Sequence, residues 1–271
     1  MLPELLQRVI LRSRCIVSPV ALVLILCFSN SGNAAAQLKV ARFSAVFGSV
    51  STESVLGGHR SAALNLIVGD NTTVRTGNRS RTELTFADQS IARLWEHTTV
   101  DLKDGGRDLF LQQGALFIDV TTGGALGSVR GAGVAVDVSG ISALFEYHPK
   151  VFKLLVLNGT ARLYRPDHVG DSVLVAAGQL VFGNPNTALS DPVDFDIKHF
   201  FKTSRFVSEF APLRSRALIA SEIEKQGLAK SKKVLMETNL VMYGGGTTVS
   251  ATGGAPGKDS SKSNSTRGSG P

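Results

Sequence analysis

The chain has 271 residues, 43% of them hydrophobic and 19% charged, with a formal net charge of +7. This balance lies in the range of globular proteins and allows one or two domains with a sizeable core. The positive excess is modest, and part of it lies near the C-terminus at Lys258, Lys262 and Arg267, so it does not describe one basic face suited to nucleic acid.

In chain order, Arg8, Arg12 and Arg14 precede the apolar run Cys15 to Phe28, and small residues follow at Gly32, Ala34, Ala35 and Ala36. This pattern predicts a secretory signal peptide over residues 1–36. The run is shorter than the roughly 20 residues of a spanning helix and contains Pro19, so no membrane span is expected after cleavage. Leu26 stands where a lipobox-like pattern needs a small residue before Cys27, so lipidation is not expected. Cys15 and Cys27 both leave with the leader, and the exported chain would have no disulfide, thiolate nucleophile or cysteine-ligated metal. Its core alone must then hold it together. The leader carries three Arg and one Glu, so its loss lowers the charge from +7 by two, to +5.

From Val40 to Phe182, short alternating apolar runs closed by Gly, Asn or Asp predict many short strands joined by turns. The runs are Leu109 to Val120, broken at Gln112-Gln113-Gly114, then Val134 to Val138, Ile141 to Tyr147, and Val173 to Phe182 around Gly178. Asn158-Gly159 predicts a hairpin, because both central residues of a type I′ turn need positive φ. Both faces of that hairpin are partly apolar, so at least one must be covered. The fold class expected is an all-β core, a sandwich or a roll or short solenoid, with a C-terminal α-helical extension.

At Ser190 the period changes. Asp191-Pro192 reads as an N-cap and first helical residue of a helix running to about Phe210, and a second helix is expected over Arg214 to Leu228, with Leu218, Ile219 and Ile223 on its apolar side. Leu235 to Tyr243 reads as a last strand, and the Gly/Ser-rich stretch beyond as a disordered tail. The divisions are therefore 1–36 signal peptide, 38–185 β domain, 190–243 helical extension with the last strand, and 244–271 tail.

Within the β domain, Gly69-Asp70, Thr76-Gly77, Ser80-Arg81, Leu84, Phe86, Asp88 and Ser90 occur in an order and spacing that resemble the centre of a FecR-type domain. Ile91-Ala92-Arg93-Leu94, Gly114, Gly159 and Gly178 continue the resemblance over about Val40 to Pro185. Two positions depart from the pattern: Gln89 replaces the usual turn glycine, and Gly140 to Phe145 matches the family's next strand only loosely. As residue chemistry, the motif supplies turns and one strand face, so these residues are expected to be structural. The best-known members of the family are envelope regulators with a cytoplasmic anti-sigma segment, one membrane helix and a periplasmic domain that senses a transporter. Here about 14 residues precede the apolar run, too few for a folded module, so the resemblance implies a stand-alone exported domain without direct anti-sigma activity.

Other constellations weigh less. Gly170-Asp171-Ser172 with Asp196-Ile197-Lys198-His199 imitates the blocks of a GDS-type serine hydrolase, but Ser172 falls late in a β-only stretch. Gly253 to Ser260 imitates a phosphate loop without its first glycine, and Gly131-Ala132-Gly133 lacks the third glycine of a dinucleotide loop. His59, His97, His148, His168 and His199 have no pair at metal-ligand spacing, and no cofactor or metal is expected. Trp95, the only tryptophan, reads as core or core edge before binding anchor. The expectation is a non-enzymatic protein of the bacterial periplasm or cell envelope that binds a protein or glycan partner, with a structural, cell-wall-associated module as the alternative and the hydrolase a remote third. The binding residues, partner and oligomeric state stay open.

Overall fold

The computed structural model describes residues 41–54, 58–124, 126–229, 235–237 and 250–252, so the expected leader and most of the expected tail lie outside the described residues. Among the described residues, seventeen strands form two layers joined by one shared strand, apart from a separate two-stranded pair near the C-terminus. The first layer holds β1 (Ala41–Phe47), β4 (Ile67–Val68), β6 (Arg81–Phe86), β7 (Ile91–Leu94), β12 (Ser142–His148), β13 (Val151–Asn158), β16 (Gln179–Gly183) and β17 (Val193–Asp194). The second holds β2 (Val50–Ser54), β3 (Gly58–Ser61), β5 (Thr72–Thr76), β8 (Thr99–Lys103), β10 (Ser128–Gly131), β11 (Val134–Asp137), β14 (Thr160–Tyr164) and β15 (Ser172–Ala176).

The shared strand is β9 (Asp108–Asp119), which pairs with β8 up to Gln113 and with β7 and β12 from Gly114 onward. All pairings are antiparallel except β9 with β10. The expected break at Gln112-Gln113-Gly114 is thus a passage between sheets within one strand. Gly114 makes the passage at φ +97, where a Cβ would stand 2.5 Å from the Cα of Thr98.

The Asn158-Gly159 hairpin is not formed. β13 pairs with β12 and β16, whereas β14 pairs with β11 and β15, so the turn carries the chain from one sheet to the other. Gly159 alone takes the positive φ, at +83. The bend after β15 does the same at Gly178, and the two corners are bonded together, with Ala177 N–H donating to Gly159 O at 2.9 Å and Gly178 N–H to Val156 O at 2.8 Å. Stacked corners satisfy turn backbone that would otherwise need water.

Between the sheets lies a core that includes Phe43, Val74, Leu84, Leu94, Leu109, Phe145, Leu154 and Leu163. A second core forms on the outer face of the first sheet, where Ile91, Phe117, Leu144, Leu155, Leu157 and Leu180 meet residues of the C-terminal helices. Both faces of β13 are therefore covered, Leu154 and Val156 by the other sheet and Leu155 and Leu157 by helices.

The helices differ from the single one expected up to Phe210. α1 (Ile197–Thr203) is capped by Asp196, whose carboxylate accepts the His199 N–H at 2.9 Å, and not by Asp191, because Val193–Asp194 is drawn into the sheet as β17. Ser204 is extended, and α2 (Arg205–Ser208) begins after it. α3 (Arg216–Ala229) buries Ile219 and half-buries Ile223, while Leu218, expected on the same side, is exposed. Gln226 of α3 accepts the Ile197 N–H and donates to Phe195 O, so one side chain satisfies the start of another helix. Leu235–Glu237 pairs antiparallel with Ser250–Thr252, a segment inside the stretch expected to carry no structure.

Candidate functional site

The motif residues Gly69, Asp70, Thr76, Gly77, Gly114, Gly159 and Gly178 all lie where the chain passes between sheets. Asp70 accepts the Gly105 N–H at 2.9 Å, and Gly77 donates to Ser49 O at 2.9 Å. The Thr76 hydroxyl donates to Trp95 O and accepts the Thr98 N–H. Ser80 is buried and accepts the Ser49 N–H at 2.8 Å while donating to Asn78 O. Leu84 and Phe86 are core, and Asp88 accepts both the N–H and the hydroxyl of Ser90 at 2.9 Å. Gln89, in the place of the expected turn glycine, takes φ +70.

Arg81 differs from the rest because it faces the helices. It leads into a polar seam in which sheet side chains hold backbone of the C-terminal segment. Arg93, with no exposed surface, donates from Nε to Glu83 at 2.7 Å and from its two Nη atoms to the carbonyls of Phe206 and Ala211. Burial lowers the affinity of its guanidinium for a proton, and the hydrogen bond and charge of Glu83 act in the opposite sense. Asp119 accepts the Ser142 hydroxyl at 2.8 Å and the Ser215 N–H at 3.3 Å at the approach to α3. Lys153 and Glu146 form a second buried pair at 2.6 Å, and burial with the Lys153 charge holds His148 below the ordinary histidine range.

Where this seam reaches solvent, the turn Asn78–Arg81, Trp95, Glu96 and Arg205 of α2 line an open pocket of about 390 Å³. Glu209 orients two of its guanidinium groups. Its carboxylate lies 2.9 Å from Arg81 Nε, at an angle short of a hydrogen bond, and accepts from Arg205 Nε. The Arg81 guanidinium lies 4.2 Å from the Phe47 ring, and that of Arg205 lies 4.9 Å from the Trp95 ring. Trp95 is 7% exposed and packs on Phe206 at 5.3 Å, so it serves as core edge and pocket floor together. Glu96 accepts the Arg79 N–H at 2.7 Å. The arrangement presents cationic donors over an aromatic floor and can hold an anionic group.

The hydrolase residues do not come together. Ser172 lies on β15, exposed on the second sheet, while Asp196 caps α1 and His199 lies in it, on the outer face of the first. Among the described residues, no group of three or more His, Cys, Asp or Glu converges, and no helix is long and apolar enough to cross a membrane.

Residues 72–162 match the family model described as FecR protein. This stretch is similar to a FecR domain. The matched residues run from β5 into β14 and contain the whole of Asn78–Arg81, Trp95 and Glu96, so the FecR domain supplies most of the pocket and the helical extension supplies Arg205. Gly69, Asp70 and Gly178 lie outside the matched stretch. No curated protein matches. Among solved structures, two of a candidate anti-sigma factor from Parabacteroides distasonis ATCC 8503, at 1.65 and 2.50 Å resolution, are similar to 48% of this chain at 12% identity and a TM-score of 0.40. The chain spans 65% and 64% of their lengths, just under two-thirds, and a likeness of that size carries no weight for function.

The sequence motif pointed to turns, and its glycines are turns of a particular kind, but it gave no sign of the pocket. Arg205 lies 124 positions beyond Arg81, and only the docking of α2 on the sheet brings them to one carboxylate.

Proposed function

We propose that this protein is an exported, non-enzymatic component of the bacterial cell envelope whose FecR domain binds a macromolecular partner through the pocket between the FecR domain and α2. FecR proteins are associated with the envelope and its signalling, which sets the coarse frame. The observation that carries the finer reading is the pocket itself. Three arginines line it above a nearly covered tryptophan, and its one hydroxyl, Ser80, is engaged in structural hydrogen bonds, so the site is equipped to bind and presents no activated nucleophile.

Crosslinked pulldown from envelope extract tests this reading, with the wild-type chain run beside an Arg79→Asn/Arg205→Gln variant. A partner recovered by the wild type and depleted in the variant is the expected result. Repeated recovery of no partner, or fractionation with insoluble wall material that the substitutions leave unchanged, would replace the reading with the structural, cell-wall-associated one.

A further inference from the structure

The occupant of this pocket can be argued from its unused donors. Arg81 and Arg205 both direct Nε at Glu209, and Arg79 uses only its backbone N–H, on Glu96. Among the described residues, no acceptor is bonded to the Nη nitrogens of Arg79, Arg81 or Arg205. Arg79, Arg81 and Arg205 therefore line one opening with Nη donors that have no protein acceptor, two of the three guanidinium groups being oriented by a shared carboxylate. Paired Nη donors fit the two oxygens of a carboxylate in a forked arrangement.

Two further features narrow the carrier of that carboxylate. Trp95 is almost wholly covered, with Arg205 and Phe206 against its ring, so it offers no face for a sugar ring to stack on. Glu96 at the rim and Glu209 behind it interrupt the positive field, which disfavours a uniform polyanion and suits one or two discrete acidic groups. Beside the pocket, Phe47 is 38% exposed with Arg81 against it, the aromatic and arginine pairing that dominates protein–protein contacts.

We infer that the pocket takes the carboxylate of an acidic peptide segment presented by a partner protein, gripped by Arg79, Arg81 and Arg205. This rests on the proposed binding role but identifies the group recognised. Because the chain has a single tryptophan and it floors the pocket, Trp95 fluorescence reports occupancy without ambiguity.

The test titrates the full chain with three probes: a blocked five-residue peptide carrying two glutamates, its glutamine counterpart, and trigalacturonate. The glutamate peptide is expected to give a saturable change in Trp95 emission that weakens with added salt, and the glutamine peptide at least a tenfold weaker response. Arg79→Asn/Arg205→Gln is expected to lose the response while keeping the wild-type melting curve, since both residues are exposed and Asn tolerates the positive φ of position 79. Calorimetry on the same pair guards against a fluorophore that is merely silent. No saturable binding of the glutamate peptide by either measurement, an undiminished response in the variant, or tighter binding of trigalacturonate would overturn the proposal. A positive titration with an empty envelope pulldown would refute the partner-binding reading and leave the carboxylate site standing, and the reverse pair of results would do the opposite.

Discussion

At the scale of single residues, the side chains with the greatest energetic consequence are the buried charges that tie the helices to the sheet. Arg93 is charge partner to Glu83 and hydrogen-bond donor to two carbonyls of the segment after α1. Arg93→Met would leave the buried Glu83 carboxylate without its charge partner and two carbonyls without their donor, so it should cost about 3–5 kcal/mol. Denaturant titration checks this, and a loss below about 1 kcal/mol would show that water replaces the guanidinium. Gln89 gives the opposite prediction. Its φ of +70 is strained for a residue with a Cβ, and its side chain makes only an exposed bond with Arg214 at 2.7 Å. Gln89→Gly should therefore stabilise the chain by about 0.5–1 kcal/mol, the relief of the left-handed backbone exceeding the lost surface bond. A lower melting temperature in the variant would mean that the Arg214 contact is worth more than the strain.

At the scale of elements, the main unit is the corner rather than the hairpin. Glycines and Asn-Gly pairs in the sequence report where the chain turns, and the turns they marked exist. They do not report whether the strands on either side pair with each other, because the same positive φ serves a hairpin and a passage to the facing sheet. Leu154 to Leu157, apolar on both faces, was the legible hint that β13 is covered twice, but it could not say that Leu163, across the turn, belongs to the other core. The break in the long helix was illegible for a related reason, since Ser204 is extended where Phe206 O must meet Arg93, a residue over a hundred positions earlier. Gly114 tests the corner argument most directly. An alanine there would place its Cβ 2.4 Å from the Thr98 hydroxyl and 2.5 Å from its Cα, and backbone cannot move aside as a long side chain can. Gly114→Ala should destabilise by on the order of 3 kcal/mol, strain and overpacking together. If chemical denaturation shows less than about 1 kcal/mol, β9 can change sheets without a glycine.

At the scale of the whole β body and its extension, the helices are a third layer without which the first sheet is incomplete. Ile91, Phe117, Leu144, Leu155, Leu157 and Leu180 would face water if the chain ended before β17. At roughly 1.5–3 kcal/mol for each large apolar side chain, exposing these six removes at most about 9–18 kcal/mol, comparable to the entire stability of an ordinary domain. A chain truncated after Leu189 should accordingly lose cooperative unfolding or bind hydrophobic dye and associate through the bared face. It should also shift its tryptophan emission to the red, because Phe206 and Arg205 no longer cover Trp95. A truncated chain that melts cooperatively as a monomer, within about 1 kcal/mol of the full chain, would show that the FecR body stands alone and that the helices are a separable module. That outcome would also recast the pocket, since Arg205 and Glu209 would then reach the arginines of the turn by reversible docking instead of permanent packing.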